Sequence, residues 1–195
     1  MSALSVSMGL LAGARVVDSP NRDARPGALE PELIVLHGIS LPPGRFGGPW
    51  IESLFMNALP ADADPYFQQI QHLRVSSHVL IARDGSLTQY VPFGMRAWHA
   101  GASHWRGRDS CNDFSIGVEL EGTDDVPYDD RQYEALAELV ATLQQAYPSL
   151  SEGWMAGHSD VAPGRKTDPG PAFDWRRLER AVRERGASFR REVLA

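Results

Sequence analysis

The chain has 195 residues, the length of one ordinary domain, and 43% hydrophobic against 23% charged residues places it with folded globular proteins rather than disordered chains. The 25 acidic and 19 basic residues leave a net charge of −6, which disfavours broad nucleic-acid binding, a task for a basic surface. A single cysteine, Cys111, excludes an internal disulfide framework and cysteine-rich zinc sites, and no run approaches the ~20 apolar residues needed to span a membrane.

The first 14 residues are apolar and end in Ala12-Gly13-Ala14, a small-x-small pattern. No Lys or Arg precedes Arg15, however, and Ser5, Ser7 and Gly9 dilute the run. The preferred reading is a tail over residues 1–9 leading into a first edge strand at 10–17, with no cleaved signal and a cytoplasmic location. Residues 33–36 are a short apolar run ending at His37 and read as a buried strand. Residues 41–48 are too rich in Pro and Gly for regular structure and read as a loop. Pro49 suits a first helical turn, and Trp50, Ser53, Leu54 and Asn57 follow at helical spacing, predicting a helix over 49–59. Runs at 76–81 and 87–91 flank Arg83-Asp84-Gly85-Ser86, the pattern of a hairpin.

Residues 94–112 have no period and carry Trp98, His99, His104, Trp105, Arg106 and Arg108. They read as a long loop, and long loops in small domains are often functional. From 114 to 120 the chain alternates: Phe114, Ile116, Val118 and Leu120 on one face, Ser115, Gly117, Glu119 and Glu121 on the other, a strand. Asp129 with Gln132 three residues on forms a capping box, predicting a helix to about Tyr147. Residues 154–156 read as a brief strand delivering His158, and 162–171 as another loop. Asp174 caps a last helix, with Trp175, Leu178 and Val182 inward and Arg176, Arg177, Arg180 and Arg183 on a solvated face. Residues 186–195 read as a loose tail. Strands interleaved with helices, plus one hairpin, predict a single α/β domain over 10–185 with a central mixed sheet flanked by helices.

Several reactive signatures are absent: the G-x-S-x-G elbow, the phosphate-binding P-loop, the dinucleotide glycine fingerprint and H-E-x-x-H. Cys111 as a nucleophile weighs less than Cys111 as a small side chain packed at a strand start. Histidine and carboxylate remain. A catalytic zinc site takes three N or O ligands and keeps a fourth position open. His37 sits where a strand emerges into a Gly/Pro loop, His158 follows Ala156-Gly157, and Asp168 lies ten residues later. Such residues can converge on one pocket, although spacing alone leaves each of them open to an ordinary core or surface role. Glu119 lies on the polar face of its strand, with Gly117 on the same face suggesting open space beside it. Glu121 shares that face, and periodicity does not choose between the two. Lys166 reads equally as a solvated loop lysine.

Longer motifs add to this. Val35-Leu36-His37-Gly38-Ile39-Ser40-Leu41-Pro42-Pro43-Gly44, Phe46-Gly47-Gly48, Trp98-His99-Ala100-Gly101, the run from Cys111 to Thr123, Gly157-His158 and Lys166-Thr167-Asp168-Pro169-Gly170-Pro171 resemble the 1,6-anhydro-N-acetylmuramyl-L-alanine amidases. These form a branch of the type 2 N-acetylmuramoyl-L-alanine amidases, whose T7 lysozyme-like fold is shared with peptidoglycan recognition proteins. The resemblance covers about residues 10–182. It implies a Zn2+ ion held by His37, His158 and Asp168, chooses Glu119 over Glu121 as the catalytic carboxylate, and makes Lys166 catalytic. It assigns Arg74 to the peptide carboxylates. His78 matches a family position but is not expected to be a ligand. Close relatives carry a basic residue where Ser110 stands here, so its hold on the stem peptide is either missing or passed to Arg108. Trp98 and Trp105 are candidate sugar platforms, with core packing the alternative. The implied reaction is hydrolysis of the amide between the lactyl group of 1,6-anhydro-N-acetylmuramic acid and L-alanine in peptidoglycan recycling, with an indirect influence on β-lactamase induction. The implied partner is an anhydro-muropeptide, with no nucleic acid and no membrane. Competing readings are a metal-free peptidoglycan-binding module on the same fold, an exported amidase acting on polymeric wall, and a histidine/carboxylate metallohydrolase of another class.

Overall fold

The unbroken apolar run Leu33-Ile34-Val35-Leu36 has the composition of a strand covered on both faces, and it lies inside a seven-stranded sheet. The computed structural model describes residues 4–192. The chain opens with a hairpin of β1 (Ser5–Ser7) and β2 (Leu10–Ala12), followed by β3 (Arg15–Val16) and β4 (Arg22–Ala24). Next come β5 (Leu33–Ile39), α1 (Trp50–Phe55), α2 (Phe67–Ile70), β6 (Val79–Ile81), β7 (Leu87–Gln89) and β8 (Met95–Ala97). A two-residue ribbon pairs β9 (His104–Trp105) with β10 (Arg108–Asp109). The remainder is β11 (Ser115–Glu121), α3 (Asp130–Ala146), β12 (Trp154–Gly157), α4 (His158–Val161), α5 (Trp175–Glu184) and β13 (Arg190–Arg191).

The sheet order is β13-β12-β5-β11-β6-β7-β3. The first five strands are parallel, the β6–β7 hairpin reverses direction, and β3 runs parallel to β7. This is the mixed sheet that the alternating pattern predicts. On one face Ile34, Leu36, Ile116, Val118 and Leu120 pack against Leu136, Val140 and Leu143 of α3 and Leu178 and Val182 of α5. The capping box of α3 is formed: Asp129 accepts from Arg131 N, and Gln132 Oε1 accepts from Asp129 N at 3.0 Å. On the other face Leu33, Val35 and Ala156 meet Ala100, Trp105, Cys111 and Phe114.

Six expectations change. Phe114, expected on the face of Ile116, Val118 and Leu120, precedes β11 and packs on the opposite face. The long loop expected over 94–112 contains β8, which pairs with β4, and the β9–β10 ribbon. The single edge strand at 10–17 is two short strands, because Gly13 turns the chain through φ 93° and only β3 joins the main sheet. Residues 5–7 of the expected N-terminal tail pair with β2; residues 1–3 lie outside the described residues. The helix expected over 49–59 ends at Phe55, since Asn57 takes φ 58°. The tail expected from 186 contributes β13, which pairs with β12, and Phe189, which is buried; residues 193–195 lie outside the described set. No helix among the described residues is long and apolar enough to cross a membrane.

Candidate active site

The parallel strands carry the site at their carboxyl ends, where open α/β sheets bind ligands. Register sets the arrangement. Glu119 of β11 lies directly opposite His37 of β5, and Gly157 of β12 lies opposite Leu36, so His158, one residue on, emerges beside His37. All seven residues of β11 are buried, so its polar face marks a site inside the protein rather than a solvated edge.

His37 Nδ1 is 2.9 Å from His158 Nδ1, and Asp168 Oδ2 is 3.1 Å from His158 Nδ1 and 3.4 Å from His37 Nδ1. Among the described residues these three make a group able to hold a metal, their donor atoms all within 4.8 Å of one another. The outer nitrogens point elsewhere: His37 Nε2 to His99 Nδ1 at 2.9 Å, and His158 Nε2 to the Ala100 carbonyl at 3.2 Å. Two imidazole lone pairs and a carboxylate oxygen therefore converge on one point. Such a point suits a cation, and the N, N, O set suits zinc. Burial, and then the neighbouring His158, push the His37 imidazole down to about 4, so at neutral pH it offers a lone pair. For Asp168, burial works against ionisation, but the adjoining imidazoles of His158 and His37 outweigh it and hold the carboxyl below its ordinary range.

The Asp168 loop is fixed from its backbone. Ser159 N donates to Asp168 O at 2.9 Å, and the Tyr128 hydroxyl donates to Pro169 O at 3.0 Å. Gly38 and Gly122 are the reason Tyr128 fits, because a Cβ at either position would overlap its side chain.

Glu119 and Glu121 have opposite environments. Glu121 accepts from Gly47 N at 2.5 Å and from Arg83 N at 3.2 Å, tying the 41–48 loop to the sheet. Glu119 is 8% exposed, and its Oε2 is buried with no hydrogen-bond partner among the described residues. Burial first, then the Asp168 charge, push the Glu119 carboxyl well above its ordinary value, with Lys166 opposing. A buried carboxylate left without a donor is costly to folding, and it is the arrangement a proton acceptor at a reaction centre needs.

That cost has a testable sign. The folded state holds the Glu119 proton more tightly than the unfolded chain does, so Glu119 opposes folding above the ordinary glutamate pKa of ~4.3 and not below it. Glu119→Gln is expected to raise the Tm of chelator-treated protein at about pH 8, with the gain fading towards about pH 4. Thermal melts at the two pH values check this; a Tm difference unaffected by pH would show that the carboxyl carries no such cost.

A cleft of about 510 Å³ opens onto these groups. Its lining includes the apolar Ile39, Leu41, Ile70 and Val75, Tyr66, and the charged Asp124, Arg165 and Lys166. Lys166 is exposed there, and its charge acts on both Glu119 and His37. Arg74 is not itself in the lining, although its chain neighbours Leu73 and Val75 are, and its guanidinium is turned to the carbonyls of Gln71, His72 and Leu73.

The other two expected substrate residues are also absent from this lining. Trp98 donates its indole N–H to Asp23 at 3.2 Å and packs there. Arg108 pairs with Glu32 at 2.7 Å, lies over the Phe114 ring, and lines a separate hollow with Trp105 and Trp154. Ser110 is exposed at the turn after β10 and is absent from the cleft lining. Trp105 is buried against Phe114 and Trp154, which is the core reading. Cys111 is buried, and burial pushes its thiol up, away from nucleophile chemistry. His78 holds β11 through its Nδ1, which accepts from Gly117 N at 3.0 Å, and touches none of the three metal-ligand candidates. The space expected beside Gly117 is filled by the His99 ring, which a Cβ at Gly117 would overlap. A glycine on an inward strand face was the available signal for that intruding ring.

The N-acetylmuramoyl-L-alanine amidase family (Amidase_2) matches residues 27–171. The chain is 57% identical over 173 residues to the 1,6-anhydro-N-acetylmuramyl-L-alanine amidase AmpD of Escherichia coli K12, covering 89% of this chain and 94% of the relative. A crystal structure of a selenomethionine AmpD derivative superposes with a TM-score of 0.89 at 55% identity, over 91% of this chain and 98% of that one. A second structure, the N-acetylmuramyl-L-alanine amidase AmiD from E. coli in complex with the substrate anhydro-N-acetylmuramic acid-L-Ala-D-γ-Glu-L-Lys, matches with a TM-score of 0.56 at 26% identity, over 96% of this chain and 67% of that one. With sequence and fold in agreement over nearly its whole length, this chain belongs to the N-acetylmuramoyl-L-alanine amidase family and is an amidase of that family.

Proposed function

We propose that the enzyme hydrolyses the amide joining the lactyl group of 1,6-anhydro-N-acetylmuramic acid to L-alanine of a stem peptide, with zinc held by His37, His158 and Asp168. The observation that carries this reading is the unpartnered, buried Glu119 carboxylate set opposite His37 beside the converging N, N, O donors. The high identity to relatives named for the anhydro substrate supports the substrate choice. When bound, zinc supplies Lewis-acid activation of water and of the amide carbonyl.

The chain's own groups do the rest. Glu119 takes the attacking water's proton and delivers it to the leaving L-alanine amine, converting a poor amide anion into a neutral amine. Its raised proton affinity suits both halves of that task. Lys166 faces the cleft and stabilises the oxyanion that forms as the carbonyl is attacked. The apolar lining residues of the cleft shield the reaction from bulk water, and Arg74, next to Leu73 and Val75 in the chain, receives the peptide carboxylates. A cytoplasmic enzyme of this kind acts on soluble turnover fragments in peptidoglycan recycling, and by setting their level it influences β-lactamase induction indirectly.

Mass analysis of products from an anhydro-muropeptide tests the reaction: free stem peptide is expected without chelator and none with it. Intact substrate under both conditions would overturn the reading. The 1,6-anhydro ring locks the sugar in an altered chair without a free anomeric hydroxyl, so a cleft shaped to it fits the ordinary ring less well. Each hydrogen bond or close apolar fit that the ordinary ring fails to make costs on the order of 1–3 kcal/mol. A preference of roughly 5- to 150-fold in kcat/KM is therefore expected for the anhydro form over a matched non-anhydro muropeptide. Equal values, with efficient digestion of purified sacculus, would make this a general wall amidase.

A further inference from the structure

His99 belongs to neither the metal set nor the proton transfers proposed above, yet it is buried against both strands that carry them. Its Nδ1 lies 2.9 Å from His37 Nε2, and its Nε2 lies 3.2 Å from Ser115 Oγ. The Ser115 hydroxyl donates to the Cys111 carbonyl at 2.6 Å. That last bond sets the direction of the whole chain. Ser115 has one hydrogen and spends it on Cys111, so towards His99 its oxygen accepts. His99 then carries its proton on Nε2 and presents a bare Nδ1. Facing that acceptor, His37 carries its proton on Nε2, which leaves His37 Nδ1 bare on the side of His158 and Asp168.

We infer that His99 is a positioning residue that fixes the tautomer of His37 and so presents His37 Nδ1 to a divalent cation. The metal half of this inference rests on the reading in the preceding subsection. Two further observations support it. The fold makes room for the ring by placing glycine at 117, where a Cβ would overlap His99. The next residue does the same service for the other imidazole, since the Ala100 carbonyl receives His158 Nε2 at 3.2 Å. One short segment thus sets the outer nitrogens of both histidines. It is itself held by Asn112, whose Oδ1 accepts from His99 N at 3.2 Å and Ala100 N at 2.8 Å. Outer partners of this kind orient a ligating histidine and raise its basicity.

The alternative role for His99 is to fill the recess over Gly117, and two substitutions separate the roles. His99→Phe refills the recess but offers no acceptor. His99→Asn leaves part of the recess empty but keeps an acceptor oxygen near the position of Nδ1. Zinc affinity, measured by competition with a chromophoric chelator, is expected to fall roughly 10- to 100-fold in His99→Phe and to stay closer to wild type in His99→Asn. The reverse order, Phe binding better than Asn, would overturn the inference in favour of packing. Nitrogen-15 NMR of the metal-free wild-type protein gives a second reading that needs neither variant to fold nor zinc to bind. His37 is expected as the Nε2–H tautomer, and an Nδ1–H tautomer would overturn the inference. Wild-type protein that binds no zinc would instead remove the metal reading, leaving the tautomer to the NMR result.

Discussion

Glu119→Ala is expected to lower kcat by roughly 10²- to 10⁴-fold, the usual worth of a positioned general base, while zinc content and fold remain. The side chain gives up no hydrogen bond from its Oε2 when removed, because that atom has no partner among the described residues. Truncation therefore deletes a reacting group without loosening the sheet. Lys166→Ala is expected to lose roughly 10²- to 10³-fold, as for one oxyanion donor, again mainly in kcat, since both groups act on the transition state. Glu121 supplies the internal control. It lies two residues along the same strand face and is equally buried, but its oxygens hold Gly47 N and Arg83 N. Glu121→Ala is expected to free the 41–48 loop and to act on KM or Tm, with little change in kcat. Steady-state kinetics on one anhydro-muropeptide, with elemental analysis of each variant, makes the comparison. Equal kcat losses at Glu119 and Glu121 would sink the assignment of the base.

The contrast between those two glutamates shows where sequence reasoning stops. Period-2 alternation places both on one face of β11, and a period carries no information on which backbone donors a loop from residue 47 or a turn at residue 83 will bring. The same holds for Gly117, which marks a gap in the strand face without naming the His99 ring that fills it from 18 residues away. Elements whose signals are local were legible: the apolar run of β5, the alternation of β11, the capping box of α3, and the hairpin at Asp84-Gly85. Two-residue strands were not, since β3 and β13 are strands only because β7 and β12 offer them an edge. Arg108 and Trp98 went astray for a related reason. A basic or aromatic residue in a long loop looks available until its partners, Glu32 and Asp23, arrive from distant parts of the chain.

Asp168→Ala is expected to take zinc from one per chain to near zero after dialysis, a loss larger than the ~10- to 100-fold typical of an outer partner. Asp168 is the one carboxylate among the three converging donors. With two neutral imidazoles alone, a divalent cation would keep its full double charge in a largely buried place, where uncompensated charge is expensive. The carboxylate removes half of that charge and supplies the third ligand at once. The variant should still fold, because the bonds that shape the loop do not use the side chain. Ser159 N reaches the Asp168 backbone carbonyl, Gly170 N reaches Thr167 O, and the Tyr128 hydroxyl reaches Pro169 O. Apart from its contacts with His158 and His37, the Asp168 carboxylate makes only a 3.4 Å approach from Gly38 N. Loss of metal is therefore separable from loss of structure: circular dichroism is expected to match the chelator-treated wild type while zinc content differs from the untreated one. Full zinc occupancy in Asp168→Ala would remove Asp168 from the ligand set and leave His37 and His158 needing another third donor, for which Glu119, opposite His37 and without a partner on Oε2 among the described residues, is the nearest carboxylate by register.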